Sequence, residues 1–371
     1  MKAGRRFRVE LTDDQVRLAQ LTADACRAVW NTGLEQRREY RRRGAWMNYH
    51  EQAHELVEAK VEHPWLTEAP SHCLQQTLRD LDEACRRHGT WKVRWRSARR
   101  WAPSFRFPQG SQMELRKLNR GKTAVKLPKL GWVKFRASRS LEGETLRSAT
   151  LSKEGERWFV SLLVEDGVST PAEHRSAGTA VGVDRGVVVA VATSAGDLLD
   201  HVFLSAAQKR RAVRLQRTLS RAAKGSANRN KARRRYAALR ATEARRRQDF
   251  CVKTARALAD KNAMVVLEKL STRHMTRRAK PVEDPDNPGR YLPNGAAGKS
   301  GLNKAILSKG WYRFELALTS VSRYTGTQVV KVRAAFTSQR CLLTGLTDDT
   351  PAGLPDLSAA DGTSRCHGAI A

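Results

Sequence analysis

Two short apolar runs in this sequence each end in a single carboxylate. Ala180-Val-Gly-Val183 runs into Asp184, and Ala263-Met-Val-Val-Leu267 runs into Glu268. A carboxylate set among valines loses hydration, so a cation or hydrogen-bond donors must compensate it. Oxygen ligands at strand ends suit Mg²⁺ or Mn²⁺, and a pair of such ions can clamp the attacking and leaving oxygens of phosphodiester hydrolysis. The competing reading is that each acid pairs with one of the many arginines, and either run taken alone favours it.

The elements that must position these acids follow from the flanking residues. Gly186 lets a second β-branched run, Val187 to Val191, begin almost at once, and Ser194-Ala-Gly-Asp197 closes it, which predicts a buried hairpin around Asp184. Asp197 to Phe203 adds a third strand, Ala263 to Glu268 another, and Thr327 to Val332 a last one, with a helix over Leu302 to Tyr324. From Gln208 to Arg247 the chain is helical in pattern and strongly basic, with Glu243 as its one acid, and Gly225-Ser226 divides it into a helical hairpin. So little counter-charge makes a helix repel itself unless a polyanion binds, which points to Arg210, Arg211, Arg214, Arg217, Arg221, Arg233, Arg234 and Arg235 as nucleic-acid contacts. The segment Arg277 to Gly301 reads as a loop. Its Gly298-Lys299-Ser300 is no phosphate loop, because Pro293 stands where the upstream glycine would be required.

In the N-terminal half, Arg6 to Glu10 alternates as a strand. Thr12-Asp13-Asp14 then caps a helix running to Arg43, where Gly44 ends it. Further helices are expected over Glu51 to Val61 and from Ser71 past Cys85, separated by Pro64. From Trp91 the pattern becomes that of short strands: Ser104–Phe107, Leu115–Leu118, Thr123–Leu127, Trp132–Phe135, Arg147–Leu151 and Arg157–Val164. A small barrel or curled sheet would hide their edges, and its interleaved basic and aromatic residues suit RNA. Ser169 to Gly178 reads as a linker.

At 371 residues the chain is long enough for two or three domains, and its net charge of +32 is spread along the whole length. Self-repulsion on that scale favours a nucleic-acid partner. The sequence offers neither an apolar run long enough to span a membrane nor the apolar core of a signal peptide near Met1, so the expected location is cytoplasmic. The six cysteines form no C-x-x-C pair, and Cys26, Cys73, Cys85 and Cys251 read as reduced core residues.

Several blocks, in this order and spacing, resemble the TnpB/OrfB family of insertion-sequence proteins, relatives of type V CRISPR effectors. They are Trp30-Asn31, His63-Pro-Trp-Leu66 with Leu74 to Leu81, Ser104-Phe-Arg-Phe-Pro108, Gly182-Val-Asp-Arg-Gly186, Val266-Leu-Glu-Lys-Leu270, Gly301-Leu-Asn-Lys-Ala-Ile-Leu307 with Gly310-Trp311, and Phe336-Thr-Ser-Gln-Arg-Cys341. The resemblance implies an α+β multidomain protein. A β-barrel (residues 1–10 and 100–170) would carry an inserted helical module (11–99). A RuvC-like, RNase H-type α/β nuclease domain (178–340), with a basic helical hairpin at 205–260, would follow. It further implies an RNA-guided, Mg²⁺- or Mn²⁺-dependent DNA endonuclease of a mobile element, with guide RNA and target DNA as partners and a nucleoid-associated, cytoplasmic location. Asp184 and Glu268 correspond to the catalytic, metal-holding acids of its first and fourth strands.

The match lapses after Cys341. Family members place a second cysteine three residues on, then another C-x-x-C, then a third catalytic acid in an Asp-x-Asn-Ala-Ala context. Here Thr344 occupies the second cysteine position, and residues 341–371 stand in place of the zinc ribbon and third acidic motif. Cys341 is left as a residual single ligand, Cys366-His367 cannot restore four, and no stable zinc site is expected. Asp356 and Asp361 are the third-acid candidates, Asp361 favoured by its neighbours Ala359-Ala360. The tail reads as a degenerate or frameshifted terminus. The alternative expectation is therefore a nuclease-inactive, RNA-guided DNA-binding protein or an inactive remnant, and an incomplete carboxylate set lowers cleavage by orders of magnitude.

Overall fold

The computed structural model describes residues 2–98, 101–138, 140–167 and 173–333. Asp356, Asp361, Cys341 and Cys366-His367 lie outside the described residues. The chain divides into two compact units, Met1–Ser169 and Thr170–Ala371. Among the described residues no helix is long and apolar enough to cross a membrane.

The first unit joins a sheet to a helical module. Strand β1 (Lys2–Glu10) leads into helix α1 (Asp13–Arg42), α2 (Tyr49–Glu62), the single turn α3 (Trp65–Glu68) and α4 (Ser71–His88). Strands β2 (Ser104–Phe107), β3 (Glu114–Lys117), β4 (Lys122–Leu127), β5 (Gly131–Arg136), β6 (Thr145–Glu154) and β7 (Arg157–Glu165) follow, close to the runs expected from alternation. The sheet is antiparallel in the order β2-β6-β7-β1-β5-β4-β3. Strand β1 is its hinge: residues 2–8 pair with β7, while Val9 and Glu10 pair with β5. Trp158, Val160, Leu162 and Val164 alternate into the core, where Phe7 and Phe135 stack with ring centroids 4.8 Å apart.

Thr12 caps α1 as the sequence predicts. Its hydroxyl accepts from the Gln15 N–H while the Gln15 amide accepts from the Thr12 N–H, satisfying two orphan donors. Along α1, Ala19, Ala23, Cys26, Val29, Trp30 and Leu34 are buried, and α4 answers with Cys73, Leu74, Leu78, Leu81 and Cys85. Cys26, Cys73, Cys85 and Cys251 are buried free thiols, and burial pushes Cys26 and Cys251 up to about 11, which keeps both protonated and unreactive.

The second unit carries a five-stranded sheet in the order β10-β9-β8-β11-β12, built from β8 (Ala180–Asp184), β9 (Val191–Thr193), β10 (Leu198–Leu199), β11 (Met264–Glu268) and β12 (Gln328–Val332). Strands β8, β11 and β12 run parallel, whereas β9 and β10 turn back antiparallel. Between them lie helices α5 (Ala206–Arg221) and α6 (Ala227–Lys261). The short α7 (Thr272–Met275) follows β11, then α8 (Ala296–Lys309) and α9 (Trp311–Thr325). The basic hairpin forms where expected: Arg229 of α6 donates to the Ala222 carbonyl at 2.9 Å and to the Leu219 carbonyl, closing the end of α5. Val181, Val183, Val265 and Leu267 form one core with Cys251, Ala255, Leu258, Phe314 and Leu318 of α6 and α9.

Three expectations shift, the first being that the strand expected over Asp197 to Phe203 is only the two-residue β10, Leu198–Leu199. The second strand of the hairpin begins at Val191, not Val187, because a tight turn consumes the four residues before it. A side chain on Gly186 would come within 2.7 Å of the Val189 carbonyl. The helix expected over 302–324 begins at Ala296 and breaks at Gly310, whose φ of 79° lies in the left-handed region.

Candidate active site and nucleic-acid interface

Asp184 is the last residue of β8 and Glu268 the last of β11. These strands are parallel neighbours in the register Val181↔Val265 and Val183↔Leu267. One further step along that ladder brings Asp184 level with Glu268, on strands about 4.8 Å apart. Since Val183 and Leu267 point into the helix-covered core, strand alternation sends both carboxylates to the opposite face. Both are half-buried. The structure thus brings together the two acids singled out from sequence, at the C-terminal ends of parallel strands, where open α/β sheets place their sites.

The sequence did not single out the residue between Asp184 and Gly186. The Arg185 side chain is 0% exposed and pairs with Glu315 Oε2 at 3.0 Å, while its second terminal nitrogen donates to the Glu268 backbone carbonyl. Glu315 is shared with Lys331 of β12. Burial pushes the Glu315 carboxyl up, but hydrogen bonds from Lys331 and Arg185 outweigh it and hold the group below its ordinary value. One guanidinium therefore ties the ends of β8 and β11 to α9. Its Nε has no hydrogen-bond partner among the described residues.

The break between α8 and α9 braces the same turn. Trp311 donates its indole N–H to the Gly186 carbonyl at 3.1 Å, and Lys309 reaches the Val188 carbonyl at 2.6 Å and Asp200 at 2.7 Å. Gly310-Trp311 acts through these bonds. Among the described residues, no group of three or more His, Cys, Asp or Glu is placed to hold a metal ion. The pair still suits a hard cation, since Mg²⁺ commonly takes one or two carboxylates and completes its shell with water and substrate phosphate.

All eight arginines expected to meet nucleic acid are exposed on α5 and α6. Arg210, Arg214, Arg217 and Arg221 follow the spacing of one helix face. Farther along α6 the arginines serve the protein itself. Arg240 and Arg247 converge on the buried Glu243, the latter at 2.8 Å, and Arg246 donates to the Phe203 carbonyl at 2.9 Å. Between α6 and α8 opens a basic cavity of about 670 Å³, lined among others by Arg240, Arg278, Lys299, Lys304 and Asn303. Composition signalled its charge, but the cavity depends on tertiary packing.

Comparison with known proteins matches two family models. The OrfB_IS605 model, described as a probable transposase, covers residues 161–279, and a model described as a helix-turn-helix domain covers residues 1–45. In this structure the latter segment holds β1 and one long helix, α1. A protein of Escherichia coli (strain K12), named as a proposed RNA-guided DNA endonuclease, InsQ, is 35% identical over 330 residues, covering 88% of this chain and 79% of its own. A Streptomyces pristinaespiralis protein with the same proposed activity in its name is 33% identical over 300 residues, covering 76% of this chain and 70% of its own. The cryo-EM structure of a Cas12f1–sgRNA–target DNA complex matches in fold with a TM-score of 0.53 at 10% identity, covering 94% of this chain and 92% of that one.

Proposed function

We propose that this chain, which belongs to the TnpB/OrfB family of insertion-sequence proteins, is an RNA-guided DNA endonuclease whose hydrolytic centre is built on Asp184 and Glu268. The observation that carries the reading is the parallel register of the neighbouring strands β8 and β11, whose next step sets the two acids level on one face. The names of its relatives supply the guide and the target. Bound Mg²⁺ or Mn²⁺ would contribute positive charge at the scissile phosphate and a water of lowered pKa. Asp184 and Glu268 would hold it. Arg185 fixes the backbone between them, and the α5 and α6 arginines hold the phosphodiester chain by charge. Guide pairing then selects sequence, while the protein meets the backbone.

A second reading, a guide-bound DNA-binding protein without effective cleavage, is favoured by the residues after Cys341. They offer neither the cysteine spacing nor the Asp-x-Asn-Ala-Ala context of the family. The two are separated by incubating guide-loaded protein with matching duplex in Mg²⁺ and in EDTA. Cleavage confined to Mg²⁺ is the expected result. Retained binding with intact duplex in both would establish the second reading.

A further inference from the structure

The segment after α4 leaves its large aromatics in water. Val93 is buried in a small core with Trp30, Leu34, Leu81 and Cys85, whereas Trp91 and Trp95, two residues to either side, are 58% and 44% exposed. Trp46, just past the end of α1, is 71% exposed. Burial of a valine while two adjacent indoles stay wet is the reverse of what apolar area alone would select. An exposed cluster of large aromatics marks a surface kept for a partner.

The segment is also held firmly. The Trp30 indole N–H donates to the Arg94 carbonyl at 3.1 Å, Asn31 exchanges hydrogen bonds with the Arg96 backbone at 2.9 and 3.2 Å, and Arg38 donates to the Val93 carbonyl at 2.9 Å. Trp30-Asn31 thus serves to pin this segment against α1. Arginines one helical turn apart on α1 then face the indoles. Arg38 lies 5.8 Å from the Trp91 ring and 5.2 Å from the Trp95 ring, Arg42 lies 5.7 Å from Trp91, and Arg41 lies 3.3 Å from Trp46. Lys92 and Arg94, on the same segment, add two exposed cations.

We propose that Trp46, Trp91 and Trp95, interleaved with Arg38, Arg41 and Arg42, form a platform on which unpaired nucleobases stack. Indole faces accept any base, and the cations around them match the phosphates linking successive bases. A protein partner would need acidic side chains in the same alternation, and the net charge of +32 makes a polyanion the better match. The proposal shares with the function above only its ligand class, nucleic acid, and requires neither metal nor cleavage.

The test uses the full chain and a labelled single-stranded oligonucleotide of about 12 nucleotides, as DNA and as RNA of the same sequence. Trp91→Ala with Trp95→Ala is expected to weaken binding by about tenfold or more. The slope of affinity against salt should stay unchanged, because no charge is removed. Trp91→Phe with Trp95→Phe should restore most of the affinity, and an abasic oligonucleotide should bind the unmutated protein as weakly as the alanine variant binds the normal one. Indole emission of the unmutated protein should be quenched by the normal oligonucleotide and much less by the abasic one, a readout that needs no variant to fold. Loss on both DNA and RNA supports a platform for either strand, and loss on one supports it and identifies the strand. Full affinity in the alanine variant, or equal binding of normal and abasic oligonucleotides, would overturn it. If the unmutated protein binds but never cleaves, the endonuclease reading fails and the platform stands.

Discussion

Arg185 sits beside Asp184 in sequence but acts at Glu268 and Glu315 in space. Its charge is fully buried, so removing Glu315 leaves it without an ionic partner, while removing Arg185 leaves Glu315 with Lys331 alone and the Glu268 carbonyl without its donor. Arg185→Met is expected to destabilise the second unit by about 3 kcal/mol in chemical denaturation, since breaking a buried pair costs roughly 3–5 kcal/mol. The pH dependence follows from Glu315, whose carboxyl is held below its ordinary 4.5 in the folded protein. A depressed folded-state value stabilises above the unfolded one and loses that effect as pH falls through the folded value. The stability difference between the unmutated protein and Glu315→Gln should therefore be greatest above about pH 4.5 and close in stronger acid. A difference that grew on acidification would contradict the pairing. Nothing in the residue types announced this role, because an arginine after a strand-terminal acid reads equally as a surface charge.

Elements with strong local signals formed where pattern placed them. Thr12 with Gln15 fixed the start of α1, and the alternation of Trp158, Val160, Leu162 and Val164 fixed β7. Where local signals and long-range bonds compete, pattern fails. Val187, Val188 and Val189 have strand propensity, yet the Gly186 and Val188 carbonyls are taken by Trp311 and Lys309, more than a hundred residues away. The break at Gly310 has the same character. Besides its positive φ, a Cβ there would meet Arg247 Cδ at 2.8 Å. Gly310→Ala is expected to cost about 2 kcal/mol, seen as a lower denaturation midpoint, because the left-handed conformation alone costs roughly 1–2 kcal/mol in an L-residue. On α5, the proposed contribution is charge. Replacing Arg210, Arg214, Arg217 and Arg221 by alanine should lower the salt dependence of duplex binding by about 0.9 per lost phosphate contact. An unchanged slope would remove α5 from the interface. Sequence could not separate these arginines from Arg240, Arg246 and Arg247, because partners such as Glu243 and the Phe203 carbonyl are chosen by packing.

At the scale of the molecule, a charge of +32 and two acids at the ends of neighbouring parallel strands are what support the proposed activity, hydrolysis of nucleic acid by a protein that first binds it through charge. The charge and the two acids could be read directly from the chain. Their convergence required the parallel register of β8 and β11, which no local pattern encodes, and the exposed Trp91 and Trp95 depended on Val93 taking the buried position. Asp184 is the residue on which the proposed activity most directly depends. Guide-loaded protein should cleave matching duplex in Mg²⁺. Asp184→Asn, which keeps size and removes charge, should lower the rate by about 10³-fold or more while duplex affinity and its salt dependence stay the same. Cleavage by Asp184→Asn at the unmutated rate would contradict the assignment of this sheet end as the hydrolytic centre.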